Sequence, residues 1–195
     1  TPDTTVTLEL KKTDGTVYSK TLTRKAFSVP VVMSSLLYGN IGYISLSSFA
    51  ENSAYEVKKE AIDLQQQGAK SFIIDLQNNT GGYVTTARQL ISLFPNTPQA
   101  YIEKQKFNLL KVNRYSASAS EMVAASLMDQ QAATVYGEKS YGKGTVQGFY
   151  DLSDGSVLKI TQAEFFGPNN TKINGVGVKP DIETKSNPVF AAHLD

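Results

Sequence analysis

The chain has 195 residues, with 19 Lys and Arg against 18 Asp and Glu, a net charge of +1, 41% hydrophobic residues and no cysteine. That length is enough for one full core, and the near-zero charge gives no reason to expect a nucleic acid or any other polyanionic partner. Without cysteine there is no thiolate chemistry, the composition fits an extracytoplasmic bacterial protein, and no apolar run approaches the ~20 residues a helix needs to cross a bilayer.

In chain order, residues 4–10 alternate, with Val6, Leu8 and Leu10 on one face. Asp14-Gly15 is a turn signal and residues 16–22 return, which predicts a β-hairpin. Residues 28–32, around Pro30, read as a linker, and residues 40–47 as the first core strand. Ala54, Val57, Ala61 and Leu64 follow at helical spacing, with Asn52 or Ser53 as cap and Gly68 as stop. Residues 71–76 form a short apolar run, the pattern of a strand buried on both faces. It leads into Gly81-Gly82 and a second helical period, Val84, Ala87, Leu90, Ile91 and Phe94, ended by Pro95 to Pro98. A strand, two glycines and a helix bring backbone N–H groups to a helix start, where they can hold an anion. After residues 101–107, residues 108–113 lead as a strand into Ser116-Ala117-Ser118-Ala119-Ser120, which opens an Ala-rich helix. Residues 132–137 predict another strand, and residues 147–152 and 156–166 a hairpin around Asp154-Gly155. The alternation of strands and helices predicts an α/β fold.

Each serine of the 116–120 run reads first as a helix cap, and Lys143, between Gly142 and Gly144, as a loop residue. The lack of Cys changes that weighting. The one histidine, His193, stands at the extreme C-terminus, where fraying is the default. If a serine acts as nucleophile here, lysine is the better candidate for its base. A rival motif overlaps the same lysine. Residues 137–145 match G-x-x-x-x-G-K-G-T, the form of a nucleotide-binding phosphate loop. The strict pattern puts Ser or Thr where Gly144 stands, and it must open a helix, whereas residues 146–160 have the sequence of strands.

The pair Ser-Ala-Ser-Ala-Ser-Glu and Gly-Lys-Gly-Thr-Val-Gln resembles the core of the carboxyl-terminal processing peptidases, or tail-specific proteases, over residues 1–181. The resemblance implies Ser118 as nucleophile, Lys143 as base and Gln147 as its support. It also implies an oxyanion hole from the backbone N–H of Ala119 and that of Gly81 or Gly82. The segment before the glycines departs from the family pattern, with Gln77 in place of Arg and Thr80 in place of Pro, and the connection from 95 to 112 is short. The implied architecture is a crotonase/Clp-protease-like core of repeated strand-strand-helix units, residues 29–195, closed by residues 174–182 with a strand ending at Pro180. Residues 1–28 would be the hairpin remnant of a PDZ domain. The implied function is a serine endopeptidase, with no cofactor and no metal, acting on proteins or peptides with exposed C-termini. Export or membrane anchoring is implied for the full-length protein, and a homodimer is allowed. The alternatives are a non-catalytic protein-binding scaffold of the same fold and the phosphate-loop reading of Gly137 to Thr145.

Overall fold

The computed structural model describes residues 1–27, 29–94 and 108–185. They fall into two compact units, Thr1–Pro30 and Val31–Asp195. The first is an antiparallel ribbon of Thr5–Lys11 (β1) and Val17–Thr23 (β2), with Thr5 opposite Thr23 and Lys11 opposite Val17. Its turn is set by Asp14, whose Oδ1 accepts the Thr16 N–H at 2.8 Å. The Thr16 bond holds the Asp14 carboxyl below the usual range. β2 is exposed along its whole length, so this ribbon encloses no core of its own.

The second unit is mixed α/β. A six-stranded sheet has the spatial order β10-β7-β6-β5-β4-β3. Its strands are Val32–Leu37 (β3), Ile41–Leu46 (β4), Ser71–Asp75 (β5), Leu109–Val112 (β6), Thr134–Gly137 (β7) and Ile182–Glu183 (β10). β4, β5, β6, β7 and β10 run parallel, and β3 pairs antiparallel at the edge. Three helices, Ser53–Gln66 (α1), Val84–Ile91 (α2) and Ala119–Asp129 (α3), follow β4, β5 and β6 in turn. α1 packs on α2 and α2 on α3, which makes one helical layer. A separate ribbon of Thr145–Asp151 (β8) and Val157–Glu164 (β9) extends from the unit.

Period two along the strands decides where the core sits. Ile44 and Leu46, Phe72 and Ile74, Leu110 and Val112, and Val135 all point to the helical layer and are buried. Against them lie Val57, Ala61, Leu64, Ala87, Leu90, Val123 and Leu127. The opposite sheet face is only half-buried. β5 therefore alternates half-buried with buried residues up to Ile74 and is not covered on both faces as expected. β3 lies across residues read as linker or left unassigned. Its sequence, Val-Met-Ser-Ser-Leu-Leu, has no period of two, and the strand is fixed by pairing with β4 through a turn at Gly39 and Asn40, both at positive φ. The strand near the C-terminus also differs from the expectation. It follows Pro180 instead of ending there, because residues 174–178 bond to the loop after β7. Residues 95–107 and His193 lie outside the described residues.

At the C-terminal end of β5, Asp75 is 6% exposed. Its Oδ2 accepts from Tyr43 Oη and Lys111 Nζ, each at 2.8 Å, and its Oδ1 accepts the Gln77 N–H at 2.9 Å. Burial, then the neighbouring Asp75 charge, pushes the Tyr43 phenol well above its ordinary range. Asp75 thus anchors Gln77 at the start of the loop that leads to the glycines. Asp75→Ala would leave a mostly buried ammonium unpaired and should cost about 3 kcal/mol, a Tm roughly 6–12 °C lower by calorimetry. Replacing Lys111 by Met as well should recover most of that loss, because the stranded charge is then gone.

Candidate active site

Three loops leave the C-terminal ends of adjacent parallel strands, residues 76–83 after β5, 113–118 after β6 and 138–144 after β7. This is where open α/β sheets gather their functional loops. Side chains within the first two loops bind them together. Asn79 is fully buried, its Nδ2 donates to the Leu46 carbonyl at 2.8 Å, and its own carbonyl accepts from the Ala117 N–H and from Ser120 Oγ. Ser116 Oγ donates to the Leu76 carbonyl at 2.7 Å and accepts the Asn113 N–H. Asn78 and Asn113 exchange two bonds of 3.0 Å. Ser116 and Ser120 are both fully buried in these contacts. Ser118 alone of the three stays partly exposed.

Ser118 also carries backbone strain. It has φ 57° and ψ −114°, in the left-handed half of the map, directly before the first residue of α3. A non-glycine residue held there costs on the order of 1–3 kcal/mol and persists only where its surroundings impose it. The imposing group is the Glu121 carboxylate, which accepts the Ser118 N–H at 2.8 Å. The Ala119 N–H, at the first position of α3, belongs to the turn whose donors have no acceptor inside the helix. Gly81 packs against this turn so closely that a Cβ on it would lie 2.8 Å from Ser118 Cβ and 3.0 Å from Ala119 N. Its own N–H is given to Asn79 Oδ1 at 2.8 Å. Gly82 N–H donates to no group among the described residues. Of the two glycines, Gly82 is therefore the one whose amide remains available.

The loop bearing Lys143 is held on both sides. Glu121 Oε1 accepts from Gly142 N and Ser140 Oγ, each at 2.6 Å, and Oε2 accepts from Lys143 N at 2.7 Å. On the other side Asn174 Oδ1 accepts the Gly144 N–H at 3.3 Å, and Gly175 N donates to the Gly142 carbonyl at 2.9 Å. Ser140 Oγ accepts the Val178 N–H at 2.7 Å, tying residues 174–178 to the same carboxylate. Lys143 is half-buried, and among the described residues its ammonium forms neither an ion pair nor a hydrogen bond. Gln147 lies in β8 on the same face as Thr145. Its Nε2 donates to Thr145 Oγ1 at 3.2 Å and Thr161 Oγ1 at 2.9 Å, which leaves Oε1 as its free acceptor. Ser118 and Lys143 are thus brought together through their backbones, and Gln147 stands on the strand that continues from Lys143.

The phosphate-loop alternative does not survive this geometry. Residues 145–151 are strand β8, so the loop does not open a helix as a phosphate loop must. Its Gly142, Lys143 and Gly144 amides, the groups that would cradle phosphate, already bind Glu121 and Asn174. Asn79, Glu121 and Asn174 were not singled out from the sequence. Glu121 had a local signal, since Ser118-x-x-Glu121 is the spacing of a capping box.

The sequence pattern of peptidase family S41 matches residues 40–108 and 96–184. The carboxyl-terminal-processing protease of Synechocystis sp. is 33% identical over 92% of this chain and 47% of its own length. The chloroplastic carboxyl-terminal-processing peptidase 2 of Arabidopsis thaliana is 35% identical over 83% of this chain and 36% of its length. The solved photosystem II D1 C-terminal processing protease superposes with a TM-score of 0.72 at 25% identity, covering 94% of this chain and 56% of that one. The chain therefore spans half or less of the length of these two curated relatives.

Proposed function

The chain belongs to peptidase family S41, and on that premise we propose that it is the peptidase core of a carboxyl-terminal-processing protease, a serine endopeptidase that works through Ser118 and Lys143. The observation that carries this reading is a single oxygen. Glu121 Oε2 accepts both the Ser118 N–H and the Lys143 N–H, so nucleophile and base hang from one atom.

The chemistry follows from the positions. Ser118 Oγ forms a bond to the scissile carbonyl carbon while its proton passes to the Lys143 amine. The oxyanion receives the N–H groups of Ala119 and Gly82, donors fixed before the reaction begins. The C–N bond then breaks as Lys143 gives the proton to the leaving amine. Water attacks the acyl ester, again losing its proton to Lys143, and Ser118 is released as the alcohol. Gln147 Oε1, the free acceptor on β8, is the group that takes up the Lys143 amine in the reacting state and aims it without adding a charge. The substrates of this proposal are exposed C-terminal tails or unfolded proteins, in keeping with the names of the relatives. The ribbon β1–β2 is the tail end of a PDZ domain in the same reading, and the setting is extracytoplasmic, which the cysteine-free sequence supports. Among the described residues no helix is long and apolar enough to cross a membrane.

The test is covalent labelling. A fluorophosphonate probe should leave one adduct, mapped by peptide mass to Ser118, and prior denaturation should abolish it. A folded protein that takes no adduct, or takes it on another serine, would return the chain to the scaffold alternative.

A further inference from the structure

Glu121 is a charged residue with no exposed surface, in the first turn of a helix whose neighbours are Ala, Ser and Val. None of the ion pairs among the described residues involves it. Burying a carboxylate without a cation is costly unless hydrogen bonds replace its water. Here four donors do so, two on each oxygen, which matches the acceptor capacity of a carboxylate. A capping box would explain only the Ser118 bond. The other three come from the loop of the lysine, some twenty residues on, and a helix cap alone gives no reason for them.

We propose that Glu121 is the positioning residue of the reaction: its carboxylate sets the separation of nucleophile and base, and Ser140 extends that control to residues 174–178. This rests on the serine-lysine reading above. Oε2 fixes Ser118 in its strained conformation and fixes the Lys143 backbone at the same point. Oε1 fixes the preceding glycine and Ser140, which in turn holds the Val178 N–H. Glutamine has nearly the same shape, yet it cannot substitute. Its amide has one acceptor oxygen, and its NH2 would face two of the four donors. Either the Ser118 turn or the Lys143 loop must move away, and displacement of a reacting group by about 1 Å costs about 100-fold in rate.

Glu121→Gln, made in the full chain, tests this. With a fluorogenic peptide carrying a free C-terminal carboxylate, kcat should fall about 100-fold with KM within twofold. The Ser118 and Lys143 amide protons should move upfield in the NMR spectrum, since both lose a charge-assisted bond. A merely structural role would lower the melting temperature without that paired shift. Should Glu121→Gln fail to fold, Ser140→Ala decides. It removes a bond to Oε1 but touches neither Ser118 nor Lys143, and kcat should fall about tenfold in a folded protein. A folded variant that keeps kcat within twofold overturns the proposal. Lys143→Ala, read alongside, separates the two ideas. If it is inactive while folded Glu121→Gln turns over normally, the positioning role alone is wrong; if it retains turnover, the serine-lysine reading falls and this proposal with it.

Discussion

Ser118→Ala and Lys143→Ala should each lower peptide hydrolysis by at least ~10³-fold, the scale set by removing one member of a nucleophile-base pair. The fold should survive both changes. The contacts that hold Ser118 and Lys143 run through their backbone N–H groups, which the substitutions keep. The melting temperature should stay within about 2 °C of the parent, as for partly exposed side chains. Lys143→Arg should be as inactive as Lys143→Ala, because a guanidinium does not give up its proton in a protein. Gln147→Ala should be milder, about tenfold, since it removes an orienting acceptor and leaves the base. His193→Ala should change nothing. Hydrolysis that persists in Lys143→Ala and disappears in His193→Ala would show that the base is the histidine, leaving Ser118 as nucleophile.

Gly81→Ala should damage both the fold and the site. The residue has φ +103°, where a side chain is strained, and the added Cβ would press on Ser118 Cβ at 2.8 Å, on the Ala117 carbonyl oxygen at 2.9 Å and on Ala119 N at 3.0 Å. Two of those three atoms are backbone and cannot rotate away. Strain and overlap together should cost about 3 kcal/mol of stability. The cheapest relief is to push the Ser118 turn outward, so kcat should fall about 100-fold as well. Gly155→Ala is the control. Gly155 has a similar φ of +82° in the β8–β9 turn, but a Cβ there meets nothing within 4 Å. That variant should lose about 1 kcal/mol from strain alone and keep full activity. Denaturant melts and steady-state rates on the two proteins separate the terms. A Gly81→Ala enzyme with kcat within threefold of the parent would mean that the placement of Ser118 does not depend on the glycine loop.

The sequence alone determined the parts whose information is local. Period two and the Asp-Gly turns marked both ribbons. Helical spacing marked α1, α2 and α3, because those apolar stripes follow from backbone geometry within one element. Two hexapeptides marked Ser118 and Lys143, and the strand-glycine-glycine-helix pattern marked the amides. β3 escaped because its apolar and polar residues do not alternate; a strand of that kind exists only through the ladder that β4 provides. What Ser116 and Ser120 do was also illegible, since flanking serines in a repeated Ser-Ala run differ only in what the fold sets beside them. Ser116 and Ser120 meet carbonyls of the glycine loop forty and forty-one positions earlier. Tertiary structure likewise decided that Gly82, not Gly81, keeps a free amide, since the Gly81 N–H is satisfied by the folded-back Asn79 side chain. It decided the partners of Glu121 for the same reason. A carboxylate can be read as a helix cap from its spacing to Ser118, but the three donors that make its burial tolerable lie nineteen to twenty-two residues away. Spacing in a sequence fixes which groups share an element; which donor meets which acceptor is fixed only when parallel strands set their loops side by side.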